Sequence, residues 1–388
     1  MNPHCTRREF LQGAGALAGA SLLGPLASAP LQAASNKPSS PVSIARCKDY
    51  DLKAVLKQVY ALADQLGGLG KVVAGKTVAV KVNLTGNPRQ QALDLPAGRT
   101  YQVHPSLVLA TAMLLDRAGA RRIRFVEGTY QTGPFDKYLQ SAGWDLKALS
   151  RLKAAVEYED TRNRGKGKRY HAVKVPWGGS LFPAYHLNHS YVDCDVYVSV
   201  AKLKNHVTAG VTLSMKNNFG ITPTALYGHH EPDEQNTSNR FTIFHAGKER
   251  PADGLPQEVA PKSPRRTSYR VPRHTVDAVG IRPIDLAIID GIETVSGGEG
   301  PWVQLAAQKP GLLLAGRNPV CTDAIATAVM GYDPMAKAAT GPFPGDNHLA
   351  LAAAAGLGTN DPKEIEVRGV ALKDALHPFR WEPRERNT

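Results

Sequence analysis

The stretch LKNHVTAGVTLSMKNNFG, residues 203–220, gathers lysine, histidine, asparagine and glycine around a short apolar run. Together with Lys202 just before it, it supplies three ammonium groups (Lys202, Lys204, Lys216), one imidazole (His206) and a pair of amides (Asn217, Asn218). Ammonium groups hold carboxylates or phosphates as compact point charges. An imidazole titrates where protons are exchanged near neutrality, so His206 is the expected acid or base. Gly220 allows a backbone to come close, and amides with the Lys216 ammonium can then cradle a ligand.

Polar groups also end other apolar runs. Lys81 and Asn83 end VAVKVNL, Glu127 ends RIRFVE, and Asp290 ends LAIID with Glu293 close behind. In open α/β sheets ligands bind beyond the carboxyl ends of the strands. The expected site therefore takes Lys81, Asn83, Lys202, Lys204, Asn217, Glu127 and Asp290 as ligand-binding groups, with His206, Lys216 and His104 as catalytic ones. His104 precedes Pro105, where it serves equally well as a capping turn. Clustered lysines repel one another unless an anion or a carboxylate offsets them. Glu127 and Asp290 can be that offset, which makes the alternative a structural ion-pair network. Asp290, Glu293 and Asp323 offer oxygen ligands to a hard cation, but their spacing defines no geometry, so the metal is left unknown. His229 and His230 read as surface residues. There is no GxGxxG, no P-loop and no GxSxG elbow.

The elements that must position these groups alternate in type. The run VSIARCK alternates as a strand, residues 51–67 carry helical spacing with Asp51 as a cap, and GKTVAVKVNL is the next strand. A helix starts near Pro105 and closes on Gly119, followed by the strand ARRIRFVEG. This strand–helix–strand rhythm predicts an α/β fold with a mainly parallel sheet, flanking helices and two lobes around a cleft. FDKYLQSAGW and DLKALSRLKAAV read as helices, VYVSVA as a buried central strand, and VTLSM as a short strand. The polar segment 228–274 reads as a long insertion, a lid or binding loop. DLAIID and GLLLAG are strands, VCTDAIATAVMGY and NHLALAAAAGLG helices, and EIEVRGV an edge strand.

The first residues read as a processing signal. Arg7-Arg8, a weakly apolar Ala/Gly/Leu run and small residues predict a twin-arginine leader over 1–34, cut near Ala33 or Ala34. The run has too many glycines for a membrane span. The remaining boundaries are a linker 35–41, an α/β domain 42–378 and a tail 379–388. This predicts a periplasmic or otherwise exported protein with the twin-arginine machinery as partner and no stable membrane span after cleavage.

Net charge is +13 with histidine neutral, which favours anionic partners. No nucleic-acid signature accompanies it, and the export signal argues against nucleic acid. The cofactor is unknown. Cys47, Cys194 and Cys321 remain after cleavage, with no CxxC, so no intrinsic iron–sulfur cluster is expected and buried thiols are favoured over a disulfide.

Taken together, KVNL, HPSLVLATAMLLDRAGARRI, VYVSVAKLKNHVTAGVTLSMKNNFG, DLAIIDGI and LLLAGRNPVCTDAIATAVMGYDP resemble the family called domain of unknown function 362, over roughly residues 42–375. Many members carry ferredoxin-like cysteine motifs; this chain is similar to a cluster-free, exported form, and the resemblance implies no reaction. His206, Ala209-Gly210, Lys216 and Gly220 are also similar to the histidine-to-lysine motif of the lactate racemase family. That likeness implies Lys216 as tether for a nickel-pincer nucleotide and His206 as proton relay, with His104 a possible second relay. Val211 to Met215 replace that family's glycine-rich approach. The expected function is an enzyme acting on a small anionic ligand, carboxylate or phosphate. The alternatives are a non-catalytic periplasmic binding or accessory protein and a racemase-like enzyme.

Overall fold

The computed structural model describes residues 37–131, 133–163, 169–229, 233–236 and 240–380. The expected leader, the first two residues of the linker, part of the basic tract after Thr161, His230 and all but the start of the tail lie outside the described residues.

Eight strands form one sheet: β1 (Val42–Arg46), β2 (Thr77–Val82), β3 (Arg122–Glu127), β4 (Ala155–Asp160), β5 (Val196–Lys202), β6 (Leu286–Gly291), β7 (Leu312–Gly316) and β8 (Val367–Gly369). Their order is β8-β1-β7-β6-β5-β2-β3-β4. The strands β6, β5, β2, β3 and β4 pair parallel, as do β1 and β8. Only β7 runs the other way, antiparallel to both neighbours. The fold is thus α/β with a mostly parallel sheet, and the expected lobes do not appear as separate large sheets.

The central strands are buried from end to end, as a parallel sheet covered on both faces requires. Val78, Val80, Val82, Val198, Val200 and Ile288 pack under α1 (Leu52–Gln65) and α2 (Pro105–Arg117). Ala79, Tyr197 and Ala287 face the other side with Phe219, Phe244 and Val271. Side chains alternate along a strand, so Lys81 shares the face of Ala79 and emerges toward the segment after β5. Each fully buried valine of these strands contributes about 1.5–3 kcal/mol, which holds the strand ends where the polar groups begin.

Helix starts follow their caps. Asp51 accepts from the Ala54 amide and begins α1. His104 accepts from the Ser106 amide through Nδ1 (3.1 Å), with Pro105 in the first turn of α2. Three elements differ from the sequence expectation. Ala155 and Val156, the end of an expected helix, instead begin the edge strand β4, because β3 offers a parallel partner in register. Residues 213–217 form a short helix, α3 (Leu213–Asn217), not a strand. The end of the 228–274 insertion is the start of α4 (Thr267–Ile281), which accommodates Pro272. The fold is completed by α5 (Pro319–Val329) and α6 (His348–Ala354). Cys47, Cys194 and Cys321 are buried and free. No helix among the described residues is long and apolar enough to cross a membrane.

Candidate functional site

The carboxyl ends of β2, β3 and β5 face a short segment that turns back over the sheet. Thr212 is followed by Leu213 at φ 45°, a left-handed conformation that costs a bulky residue about 1–3 kcal/mol. Asp323, reaching in from α5, offsets it. Its carboxylate accepts from the Ser214 amide (3.0 Å), the Ser214 hydroxyl (2.6 Å) and the Met215 amide (2.7 Å). This pins the first turn of α3, and with it the direction of Lys216 and Asn217. Asp323 is therefore a helix cap rather than a cation ligand.

The paired asparagines fasten the same segment to the sheet. Asn217 donates to Ser199 Oγ (3.0 Å) and accepts from Lys81 Nζ (3.2 Å). Asn218 accepts from the Tyr197 hydroxyl (2.6 Å) and donates to the Ala278 carbonyl (2.7 Å). Gly220 lies so close that a Cβ there would stand 3.3 Å from both Cε and Nζ of Lys81. Gly210, at φ 84°, would meet Phe343 at 2.7 Å, so that turn too requires glycine.

A cavity of about 70 Å³ lies between these ends, lined by Lys81, Asn83, Glu127, Lys204, His206 and Lys216 among others. It opens into a cleft of about 1010 Å³ that shares His206, Lys216, Phe219 and Glu299 with it. The expected residues that meet here are thus Lys81, Asn83, Glu127, Lys204, His206, Lys216 and Asn217.

Their charges are not equivalent. Lys81 is fully engaged, with Glu127 at 2.6 Å, the Val82 carbonyl at 2.9 Å and Asn217. Burial pulls its ammonium below the ordinary value, and Glu127 opposes that pull. Lys204 donates to the carbonyls of Tyr101 and Glu299. Burial brings it down to about 7, with Glu299 opposing and Lys202 and Lys216 adding to the shift. Lys216 is 8% exposed, and its Nζ sits 3.8 Å from the centre of the Phe219 ring. Among the described residues it has no hydrogen-bond acceptor. Burial takes it to about 7 as well, with Glu299 opposing and Arg240 and Lys81 reinforcing. Asn83 Oδ1 is buried and unpartnered among the described residues.

His206 faces this group with its Nδ1 turned to Thr208, 3.2 Å from both the amide and the hydroxyl, and 3.6 Å from Glu299 Oε2. Glu299 also accepts from the Val207 amide (3.0 Å) and from Trp302 Nε1 (2.8 Å). An imidazole held by the Thr208 amide, with a carboxylate nearby and lining the same cavity as an amine brought down to about 7, is a proton-transfer arrangement. The surrounding cations offer an anion up to three positive groups: Lys204, Lys216 and Arg240.

Other expected residues fall elsewhere. Lys202 is fully buried, donating to Asp290 (2.9 Å), Tyr50 (3.0 Å) and the Gly98 carbonyl (2.9 Å). Asp290 also accepts from the Tyr50 hydroxyl (2.9 Å) and the His104 amide (3.0 Å). The His104 ring stacks on Tyr50 at 3.7 Å, and burial lowers it to about 4. Lys202, Asp290 and His104 form a closed network that does not line the cavity. Glu293 is held by Arg99 and Lys309. Among the described residues no group of three or more His, Cys, Asp or Glu side chains is placed to hold a metal.

Three site residues escaped the sequence reading: Arg240, His245 and Glu299. Arg240 and His245 come from the 228–274 insertion, whose cation and aromatics in RFTIFH were the available signal. Arg240 lines the cavity while donating to the carbonyls of Thr222 and Gly220. Burial pushes His245 well below its ordinary range, and Lys216, His206 and Arg240 add to that. Glu299 lay within SGGEGPW, whose glycines suggest only backbone chemistry.

A model of the family described as Domain of unknown function (DUF362) matches residues 78–328, about two thirds of the chain. A thylakoid-associated protein of Synechocystis sp. is 28% identical over 203 residues, covering 52% of this chain and 56% of that protein. The chain thus spans little more than half of that relative's length. A solved structure from Thermotoga maritima is similar at a TM-score of 0.33 and 10% identity, over 68% of this chain and 56% of that one, a level that carries no argument.

Proposed function

The chain belongs to the DUF362 family, which supplies no reaction, and from that premise we propose that its cavity binds a small anion, carboxylate or phosphate, and transfers a proton on it. One observation carries this reading: a buried Lys216 ammonium with no acceptor among the described residues, placed beside Lys204 and Arg240. Leaving such a group in a cavity is costly unless a ligand completes it. His206, set against Glu299, supplies the acid or base. Lys81 and Glu127 form the neutral floor. The twin-arginine leader expected from the sequence favours an exported location, and the thylakoid association of the Synechocystis relative agrees with a place at a membrane.

A second reading keeps the ligand and drops the chemistry. The complete neutralisation of Lys81 by Glu127 and of Lys202 by Asp290 suits a binding or accessory protein. The two readings part at His206: His206→Gln abolishes turnover in the first and leaves ligand affinity intact in both.

The test is native mass spectrometry with elemental analysis on protein purified from its own cell envelope. The reading expects a small anion retained by the wild type and lost from folded Lys216→Ala. Equal retention by Lys216→Ala contradicts it. A covalent adduct on Lys216 accompanied by nickel moves the assignment to the racemase-like enzyme.

A further inference from the structure

The wide cleft outside the cavity has a wall chemistry of its own. Among the described residues, the exposed large hydrophobic side chains include three aromatics, Tyr130, Phe241 and Trp302. All three line this cleft, and Phe219 lies at its junction with the cavity. Exposed aromatic rings gathered on one concavity, on a chain whose other aromatics are largely buried, mark a surface built to be covered.

Trp302 is fixed in place. Its Nε1 donates to Glu299 (2.8 Å), and its ring lies against Gly86 and Gly300, where added Cβ atoms would approach it to 3.1 and 2.4 Å. Phe241 packs on His245 with centroids 5.3 Å apart. The rings are therefore held beside the residues that flank the cations. The cleft is also far larger than a phosphate or acetate needs, about 1010 Å³ against about 70 Å³ for the inner cavity.

We propose that the ligand is an anion carried on a planar ring, an aryl carboxylate or aryl phosphate. Its head enters the Lys204–Lys216–Arg240 cavity and its ring lies among Tyr130, Phe241 and Trp302. This rests on the reading of the cavity as an anion site. Stacking and edge contacts with two or three rings strengthen binding over the bare anion by roughly tenfold or more. Planarity matters, since a flat ring stacks on aromatic faces and a puckered ring of equal size does not.

The experiment titrates the full chain with inorganic phosphate, phenyl phosphate and cyclohexyl phosphate, and in parallel with acetate and benzoate. The proposal expects the phenyl-bearing member of at least one series to bind roughly tenfold tighter than its bare anion, with cyclohexyl phosphate below phenyl phosphate. In Phe241→Ala most of the gain is lost while the bare-anion affinity stays, which also reports a folded site. Trp302→Ala loses the gain as well. If bare and aryl anions bind alike, if the cyclohexyl compound matches the phenyl one, or if the gain survives both substitutions, the planar ring is wrong and the anion site stands. If none of the five probes binds, the anion reading falls and this inference with it.

Discussion

Replacing Lys216 by methionine separates the cost of the site from its use. Burial brings this ammonium from the ordinary 10.5 to about 7. Between those two values the unfolded chain holds a proton that the folded chain has released. The unfolded state therefore binds more protons, and stability rises with pH across that window. At about 1.4 kcal/mol per pH unit, Lys216 costs the folded protein on the order of 4 kcal/mol at pH 7 and almost nothing near pH 10.5. Methionine keeps the unbranched stem and places a thioether on the Phe219 ring, worth about 0.3–1.5 kcal/mol. Lys216→Met is thus expected to be more stable than the wild type at pH 7, by about 1–4 kcal/mol, with the gap closing by pH 10. Lys204 does not cancel from the comparison: Lys216 adds to its downward shift, so the variant relieves Lys204 as well, which widens the gap at pH 7 in the same direction. Urea unfolding at pH 7, 8.5 and 10, in buffers free of phosphate and carboxylate, measures the difference. A Lys216→Met protein less stable at pH 7, or a gap that does not change with pH, would refute the reasoning, because the ammonium would then have a partner.

Further outcomes follow from the same geometry. Asp290→Asn strands the buried Lys202 and costs about 3–5 kcal/mol in the same unfolding assay, yet calorimetry finds phosphate affinity within roughly twofold of wild type, because that network does not line the cavity. Asp323→Ala leaves the Ser214 and Met215 amides without their acceptor. It lowers stability by about 2–4 kcal/mol and weakens anion binding several-fold by loosening the turn that aims Lys216. Anion affinity falls as pH rises above 7, by up to about tenfold per pH unit for each of Lys204 and Lys216 as they lose protons. The groups facing them are Lys81, Arg240, Glu127, Glu299, His206 and His245, and calorimetric titrations across pH 6–9 follow the trend.

Much of the sheet was legible because strands covered on both faces read as continuous apolar runs. VAVKV, VYVSVA and LAIID became β2, β5 and β6, and their parallel order followed from the helices between them. The polar groups at those ends were also visible, since a lysine inside VAVKV interrupts an otherwise buried strand. Which lysine meets which partner was not. Lys202 and Lys204 are two residues apart, yet Asp290 and Tyr50 close around one while the other reaches the cavity. Sequence spacing has no access to that, because the partners come from distant segments. The local pattern VTLSM reads as a strand; a left-handed Leu213 and a cap from Asp323, more than a hundred residues later, turn it into α3. Arg240, His245 and Glu299 escaped for a related reason, since an insertion and a glycine-rich loop carry no period that would orient them.

The most direct test of the central claim is the proton count on anion binding. Phosphate and acetate are titrated into the protein at pH 8 in two buffers of different ionisation heat, for wild type and Lys216→Met. An anion settling among Lys204, Lys216 and Arg240 restores protons to the lysines, so at least one of the two anions should bind the wild type with net proton uptake, and Lys216→Met should lose both affinity and part of the uptake. Binding without proton uptake, or binding that Lys216→Met leaves unchanged, would contradict the account.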